Sequence, residues 1–240
     1  MWRMPYTIIR NIFILPGIIK KMKRMVTLEA CNEEECYAYA KHIVSIMQRT
    51  GHTRTEGFGM ENLPKEGGYM LYPNHQGKYD AYGIVSVHDL PCSVVMDQAK
   101  SHGPFIREIL DLIRGKRMDI NDTRQALTII SEMTREVLEG RRFILFPEGG
   151  YSKNQKNTIG EFKQGCFKIS IKSKTPIVPV VIWDSYKVYN SWQFRPVKTQ
   201  VHFLKAIPYE EFQGMKTQEI AELVKARIQE KLDELAKKYA

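Results

Sequence analysis

The strongest constraint on the fold is an alternation. Five short runs, "GYMLYPN", "CSVVMD", "RFILFP", "PIVPVVIW" and "TQVHFLKA", are rich in β-branched and aromatic residues and bounded by Gly or Pro, as strands are. Among them lie "YDAYGIVSVH", "GPFIREILDLI", "TRQALTIISEMTREVLEG" and "FKQGCFKISIKS", which carry apolar residues at helical spacing. This alternation predicts an α/β fold, a single domain with a mostly parallel central sheet flanked by helices. Ligands of such sheets gather at the carboxyl ends of the strands. Two further helices are predicted. One covers residues 33–51, with Glu in its first turn and Gly at its stop; the other is the C-terminal "TQEIAELVKARIQEKLDELAKKYA", with Ile220, Leu223, Ile228, Leu232 and Leu235 available for packing. No internal repeat or long linker interrupts the chain.

The first 25 residues, "MWRMPYTIIRNIFILPGIIKKMKRM", have the look of a signal peptide. Arg3 and Arg10 break the apolar run, however, and no small-residue cleavage site follows, so the segment is expected to stay on the chain. Its uninterrupted apolar stretch, residues 12–19, is too short to span a bilayer and contains Pro16 and Gly17. Apolar residues followed by "KKMKR" suit an amphipathic, membrane-associating segment lying in an interface. The same pattern also suits a terminal helix packed on the protein's own core. The expected division is therefore residues 1–50 as the N-terminal segment and residues 51–240 as the α/β domain.

Charge narrows the partners. Lys and Arg number 36 against 27 Asp and Glu, and the resulting +9 favours an anionic partner: a phosphorylated substrate, an anionic lipid surface or nucleic acid. Nucleic acid is the poorest of these, because no basic segment is interleaved with aromatics in a recognition pattern. The four cysteines, Cys31, Cys36, Cys92 and Cys166, form no CxxC pair and no metal-ligand spacing, so free thiols in a reducing compartment are expected. No metal or other cofactor is implied. Cys92 and Cys166 suit packing as small apolar groups, and His42, His52, His88 with Asp89, and His102 suit structural roles, since none has a metal-ligand partner at the right spacing.

Two turns can carry chemistry. In "NHQGKYD", His75 follows a predicted strand and Asp80 opens a predicted helix, and a turn through Gly77 can fold the Asp80 carboxylate onto one imidazole nitrogen. The other nitrogen is then a general base fixed in tautomer. Alternatively, Asp80 simply caps the helix. In "RFILFPEGGYS", a second strand ends in a glycine-bearing turn, so Glu148 is expected at the same sheet edge as His75. Gly149 and Gly150 permit close backbone approach of an anionic oxygen there, or form a plain turn.

Together these segments resemble the glycerophospholipid acyltransferases. That family's first signature, Asn-His, four residues and Asp, is met by Asn74, His75 and Asp80; its Phe-Pro-Glu-Gly block is met by Phe146, Pro147, Glu148 and Gly149. Phe162 and Gly165 match its Phe-x-x-Gly helix, and residues 176–180 its Pro-Ile-Val-Pro-Val strand; the likeness covers roughly residues 50–210. Four blocks in order are far more specific than one.

The resemblance implies an enzyme that moves a fatty acyl group from acyl-CoA or acyl carrier protein to a lysophospholipid. The best match for the acceptor is 1-acyl-sn-glycerol-3-phosphate, giving phosphatidic acid. His75 would deprotonate the acceptor hydroxyl and Asp80 would orient the imidazole. Asn74, Glu148 and Gly149 would belong to the substrate-binding wall, with the Gly149 N–H at the developing oxyanion. Partners would then be the acyl donor, the lysophospholipid and a membrane surface, at the cytoplasmic face of the cell membrane and peripheral or monotopic.

The chain departs from the family in its cations. Tyr151 stands where a phosphate-binding arginine is expected, and Asn121 stands near the place of a second one. Lys78, Arg117, Arg124, Lys153 and Lys156 are candidates to replace them, each being otherwise a solvated surface charge. Glycerol 3-phosphate or another lysophospholipid is therefore the alternative acceptor, and a non-enzymatic peripheral lipid-binding protein the alternative class. The aromatic residues of "WDSYKVYNSWQF" either line an acyl groove or cover the sheet edge.

Overall fold

The structure is a computed structural model that describes residues 2–27, 31–152, 154–190 and 195–239. Its strands are β1 (Thr53–Phe58), β2 (Tyr69–Pro73), β3 (Ser93–Asp97), β4 (Lys116–Met118), β5 (Arg142–Ile144), β6 (Ile177–Trp183) and β7 (Val197–Phe203). The helices are α1 (Arg3–Arg10), α2 (Leu15–Thr27), α3 (Glu33–Thr50), α4 (Asp80–Val87), α5 (Ile106–Leu112), α6 (Thr123–Leu138), α7 (Lys168–Ser173), α8 (Tyr186–Asn190), α9 (Tyr209–Phe212) and α10 (Thr217–Lys238).

The strands form one sheet in the order β1-β7-β6-β2-β5-β3-β4, parallel at every pairing except β6 with β7. The single α/β domain with a mostly parallel sheet is therefore as the sequence pattern predicts. All five residues of β2 are buried, as expected of a parallel strand covered on both faces. Its alternation divides the core. Met70 and Tyr72 pack with Phe143, Phe167, Val181 and the apolar face of α10, while Tyr69 and Leu71 pack with Val44 of α3 and Ile84 of α4 on the other side.

Two strands escape the sequence pattern. β1 reads "TRTEGF" and is held at the sheet edge by a parallel register from Thr53 opposite Val197 to Phe58 opposite His202. β4 is three residues long at the opposite edge. Neither offers an apolar run, because an edge strand needs only one neighbour.

The cysteine expectation fails for one pair. Cys31 and Cys36 are joined as a disulfide with Cα atoms 5.9 Å apart, whereas Cys92 and Cys166 are free. The chain turns sharply between them, where the Asn32 side chain accepts the Glu35 N–H at 2.8 Å and the Asn32 N–H donates to the Glu35 carboxylate at 3.1 Å. That capping box folds residue 31 back over the first turn of α3, a proximity that the five-residue spacing does not reveal.

In α1 and the turn that follows it the usual arrangement of apolar and polar faces is reversed. Arg3, Thr7 and Asn11 are buried, whereas Ile8, Ile9, Ile12, Phe13 and Ile14 are exposed, Phe13 at 95%. Two of the buried polar side chains are satisfied locally: the Thr7 hydroxyl donates to the Arg3 carbonyl at 2.8 Å and the Asn11 amide to the Thr7 carbonyl at 2.7 Å. Among the described residues no helix is long and apolar enough to cross a membrane.

Candidate active site

β2 ends at Pro73 and the next residues form a turn pinned to β6. Asn74 is fully buried, and its amide pairs with the main chain of Ile182 in both directions, accepting the N–H at 2.7 Å and donating to the carbonyl at 3.1 Å. Expected on the substrate-binding wall, it is engaged in holding the turn instead. The Gln76 side chain adds a second tie, donating to the Ile182 carbonyl at 2.7 Å.

The turn brings His75 and Asp80 together. His75 Nδ1 lies 2.7 Å from Asp80 Oδ2. The same oxygen accepts the main-chain N–H groups of Gln76 at 2.5 Å and Gly77 at 2.9 Å, and Oδ1 accepts the Ser185 hydroxyl at 2.5 Å. A buried carboxyl whose oxygens face these main-chain and hydroxyl donors acts as a carboxylate acceptor. The shared proton therefore sits on His75 Nδ1, which leaves Nε2 with its lone pair free to accept one. Asp80 faces back toward the turn, and the N-cap of α4 is Tyr79 with no side-chain cap, so the capping alternative does not describe it.

The second turn supports the first. Glu148 Oε1 accepts the His75 main-chain N–H at 2.8 Å, and Oε2 accepts from the Gln155 amide and, at 3.1 Å, from the Gly160 N–H. Burial raises the Glu148 carboxyl above its ordinary value, and the hydrogen bonds from Gln155, His75 and Gly160 oppose that rise. Phe146 stacks on the imidazole with centroids 4.1 Å apart, and Tyr151 meets it edge-on at 4.6 Å. Burial, and behind it the Asp80 charge, pushes the Tyr151 phenol up, so it stays neutral beside His75.

Gly149 has φ +69° and donates its N–H to the Phe146 carbonyl at 3.1 Å. That donor is spent within the turn, contrary to its expected place at an oxyanion. A side chain at this position would also meet Lys163, whose Cε and Nζ lie 2.8 and 3.0 Å from where a Cβ would stand. The Lys163 N–H donates to the Pro147 carbonyl at 2.8 Å, so this lysine is laid across the turn from the neighbouring segment. Sequence reasoning passed over it, although it stands inside "FKQG" between two residues that were noted.

Of the other expected cations, Arg117 is engaged elsewhere. Arg117 bonds Asp111 at 2.6 Å on β4. The registers put it level with Pro73 but three strands away, about 14 Å at ordinary strand spacing. Arg124 is exposed in the first turn of α6, Lys78 is exposed on the His75 turn, and Lys156 is exposed. Lys153 lies outside the described residues, as do residues 191–194 of the aromatic stretch.

Ser185, Asn157 and Asp184 are additions that the sequence did not signal. Asn157 bonds the main chain and side chain of Asp184 at 2.8 and 2.9 Å, and so fixes the residue before Ser185. Elsewhere, burial lowers His88 to about 4 and raises Cys92 to about 12, as suits packing rather than chemistry. Among the described residues no group of three or more His, Cys, Asp or Glu is placed to hold a metal ion.

Comparison with known proteins gives the site a context. A family profile described as "Acyltransferase" matches residues 54–183, more than half of the chain. A 1-acyl-sn-glycerol-3-phosphate acyltransferase of Saccharomyces cerevisiae is 28% identical over 185 residues, covering 74% of this chain and 59% of that protein. The alpha form of Homo sapiens is 25% identical over 160 residues, 65% of this chain and 56% of that one. The chain thus matches somewhat more than half the length of these relatives. The crystal structure of the 1-acyl-sn-glycerophosphate acyltransferase PlsC from Thermotoga maritima superposes with a TM-score of 0.69, covering 98% of this chain and 99% of that one. At 18% identity, this likeness is one of fold.

Proposed function

Because the chain belongs to the acyltransferase family, we propose that His75 and Asp80 form the base of a direct acyl transfer from a thioester to a lipid hydroxyl. One observation carries this reading: a solvent-reaching imidazole whose Nδ1 is held at 2.7 Å by a buried carboxylate that has hydrogen bonds on both oxygens. His75 Nε2 takes the proton of the acceptor hydroxyl as its oxygen bonds to the thioester carbonyl carbon. The carbon–sulfur bond then breaks, and the departing sulfur receives the proton from the imidazolium, which Asp80 stabilises throughout. No acyl-enzyme forms, which agrees with the two free cysteines having thiols raised by burial.

The acceptor we propose is 1-acyl-sn-glycerol-3-phosphate, the substrate in the names of the relatives, with acyl-CoA or acyl carrier protein as donor. The reversed face of α1 supports delivery of both lipids from a membrane surface. An exposed apolar patch of this kind beside a basic helix suits insertion at the level of the head groups, on the cytoplasmic face where acyl thioesters are made. A second reading rests on Tyr151. A neutral phenol stands beside His75 where a cation is expected, which favours an acceptor that needs no arginine clamp, such as another lysophospholipid.

The experiment offers the full chain each acyl donor with 1-acyl-sn-glycerol-3-phosphate, glycerol 3-phosphate and lysophospholipids of neutral head group, and identifies products by mass spectrometry. Phosphatidic acid as the main product supports the first acceptor. Preference for a neutral head group supports the second, and no acylated product from any pair overturns the enzymatic reading.

A further inference from the structure

Asp80 lies deep in the fold, and partners on both carboxylate oxygens limit its swing about the last side-chain bond more than partners on one oxygen do. Oδ2 carries the contacts to His75, Gln76 and Gly77, all from its own turn. Oδ1 is reached from elsewhere, by the Ser185 hydroxyl 105 residues away in sequence at 2.5 Å. Ser185 is 2% exposed and sits in the link between β6 and α8. The donor on Oδ1 is a second hold on the plane of the carboxylate, and through it on the direction in which His75 Nε2 points.

Ser185 is itself held in place. The Val188 N–H donates to the Ser185 carbonyl at 3.1 Å. One peptide further, the Val188 carbonyl accepts Nη1 of Arg3 at 3.3 Å. Arg3 belongs to α1 and is fully buried; its Nε donates to the Gly51 carbonyl at 2.7 Å and its Nη2 to the Arg195 carbonyl at 2.8 Å. One guanidinium thus ties α1 to the end of α3, to α8 and to Arg195 shortly before β7. Hydrogen bonds joined through the covalent frames of Val188 and Ser185 thus connect Arg3 to Asp80 and His75.

We propose that Ser185 is a positioning residue for the Asp80–His75 pair and that Arg3 braces it from the N-terminal helix. The helix whose outer face is apolar is thereby connected to the base, so that loss of its anchor loosens the imidazole. The activity readouts rest on the acyl-transfer reading given above; the spectroscopic one does not.

The test uses the full chain with Ser185→Ala, Ser185→Thr, Arg3→Lys and the double variant Ser185→Ala with Arg3→Lys. The low-field imidazole Nδ1 proton of His75, assigned by its loss in His75→Ala, is followed by NMR without substrate. In Ser185→Ala it is expected to move upfield and broaden, and in Ser185→Thr to return. With substrate, Ser185→Ala should lower kcat by about 10- to 100-fold, the range of a lost hydrogen bond to a charged group, with KM little changed. Arg3→Lys keeps the charge but not the fork, and should lower kcat less. Its effect should vanish when Ser185 is already Ala. Should the alanine variant melt early, Ser185→Cys keeps the volume with a weaker donor and is read in the same way.

An unshifted proton and unchanged kcat in Ser185→Ala overturn the positioning role. Full additivity of the two substitutions overturns the brace. A wild type that acylates nothing overturns the acyl-transfer reading alone, and the resonance still decides the role of Ser185.

Discussion

Glu148 accepts the main-chain N–H of His75 at 2.8 Å, across 73 residues of sequence. This bond locks the turn after β2 to the turn after β5. The acidic residue of the second turn therefore serves the backbone of the first. Glu148→Gln replaces one acceptor oxygen by a donor among groups that themselves donate. It should destabilise the fold by about 1–3 kcal/mol and lower kcat by at least about tenfold. Thermal melting beside steady-state kinetics checks this, and a variant equal to wild type in both would show that the bond is dispensable.

Gly149 occupies a left-handed backbone at φ +69° with Lys163 across the place of its missing side chain. Gly149→Ala should cost about 1–2 kcal/mol in backbone strain and displace the lysine. Lys163→Met leaves the backbone unstrained, so comparing the two in melting and in KM separates the conformational cost from the loss of the cation. Equal melting points for Gly149→Ala and wild type would contradict the strain.

Phe13 is 95% exposed and Ile9 66%, so neither contributes appreciably to the folded core. Phe13→Asp with Ile9→Asp should leave the melting temperature nearly unchanged and abolish sedimentation with vesicles containing anionic phospholipid. Retained co-sedimentation would show that this face does not meet the membrane.

His88 is fully buried, with Nε2 2.8 Å from the Tyr69 hydroxyl and Nδ1 2.6 Å from the Leu90 carbonyl, and burial lowers it to about 4. A histidine depressed in the folded state stabilises fully above its unfolded value of 6.5, and that stability is lost as pH falls toward 4. The loss amounts to about 3 kcal/mol by the difference of the two values. Urea midpoints measured from pH 7 to pH 4 should fall more steeply for the wild type than for His88→Gln. Parallel curves would assign the acid sensitivity elsewhere, with His202, also lowered to about 4, the next group to test.

Much of the architecture was legible because parallel strands buried on both faces must be apolar, as β2 and β6 are along their whole length. β1 and β4 were not, since their neighbours rather than their residues define them. The site divides in the same way. His75, Asp80, Glu148 and Gly149 announce themselves through local motifs at strand ends, and the turn does bring the first two within hydrogen-bond distance. What each atom bonds was hidden. The Gly149 N–H and the Asn74 amide looked available for substrate, yet both are consumed by the main chain nearby. Ser185 reaches Asp80 only because β6 lies beside β2, a pairing that no local pattern around residue 185 encodes.

The central claim is that His75 is the base and Asp80 its orienting carboxylate. Asp80→Asn keeps the volume, but one atom faces both His75 Nδ1 and the turn's N–H groups: an amide nitrogen there loses the turn and favours the wrong tautomer, and an amide oxygen there lacks the charge that stabilises the imidazolium. Its kcat should fall by about a thousandfold or more, by analogy with the carboxylate of a catalytic triad. The most direct measurement is product formation by mass spectrometry for wild type, His75→Ala and Asp80→Asn at matched folded concentration, confirmed by circular dichroism. The account predicts acylated lipid from the wild type, and none above background from His75→Ala. Equal product from all three folded proteins would contradict it.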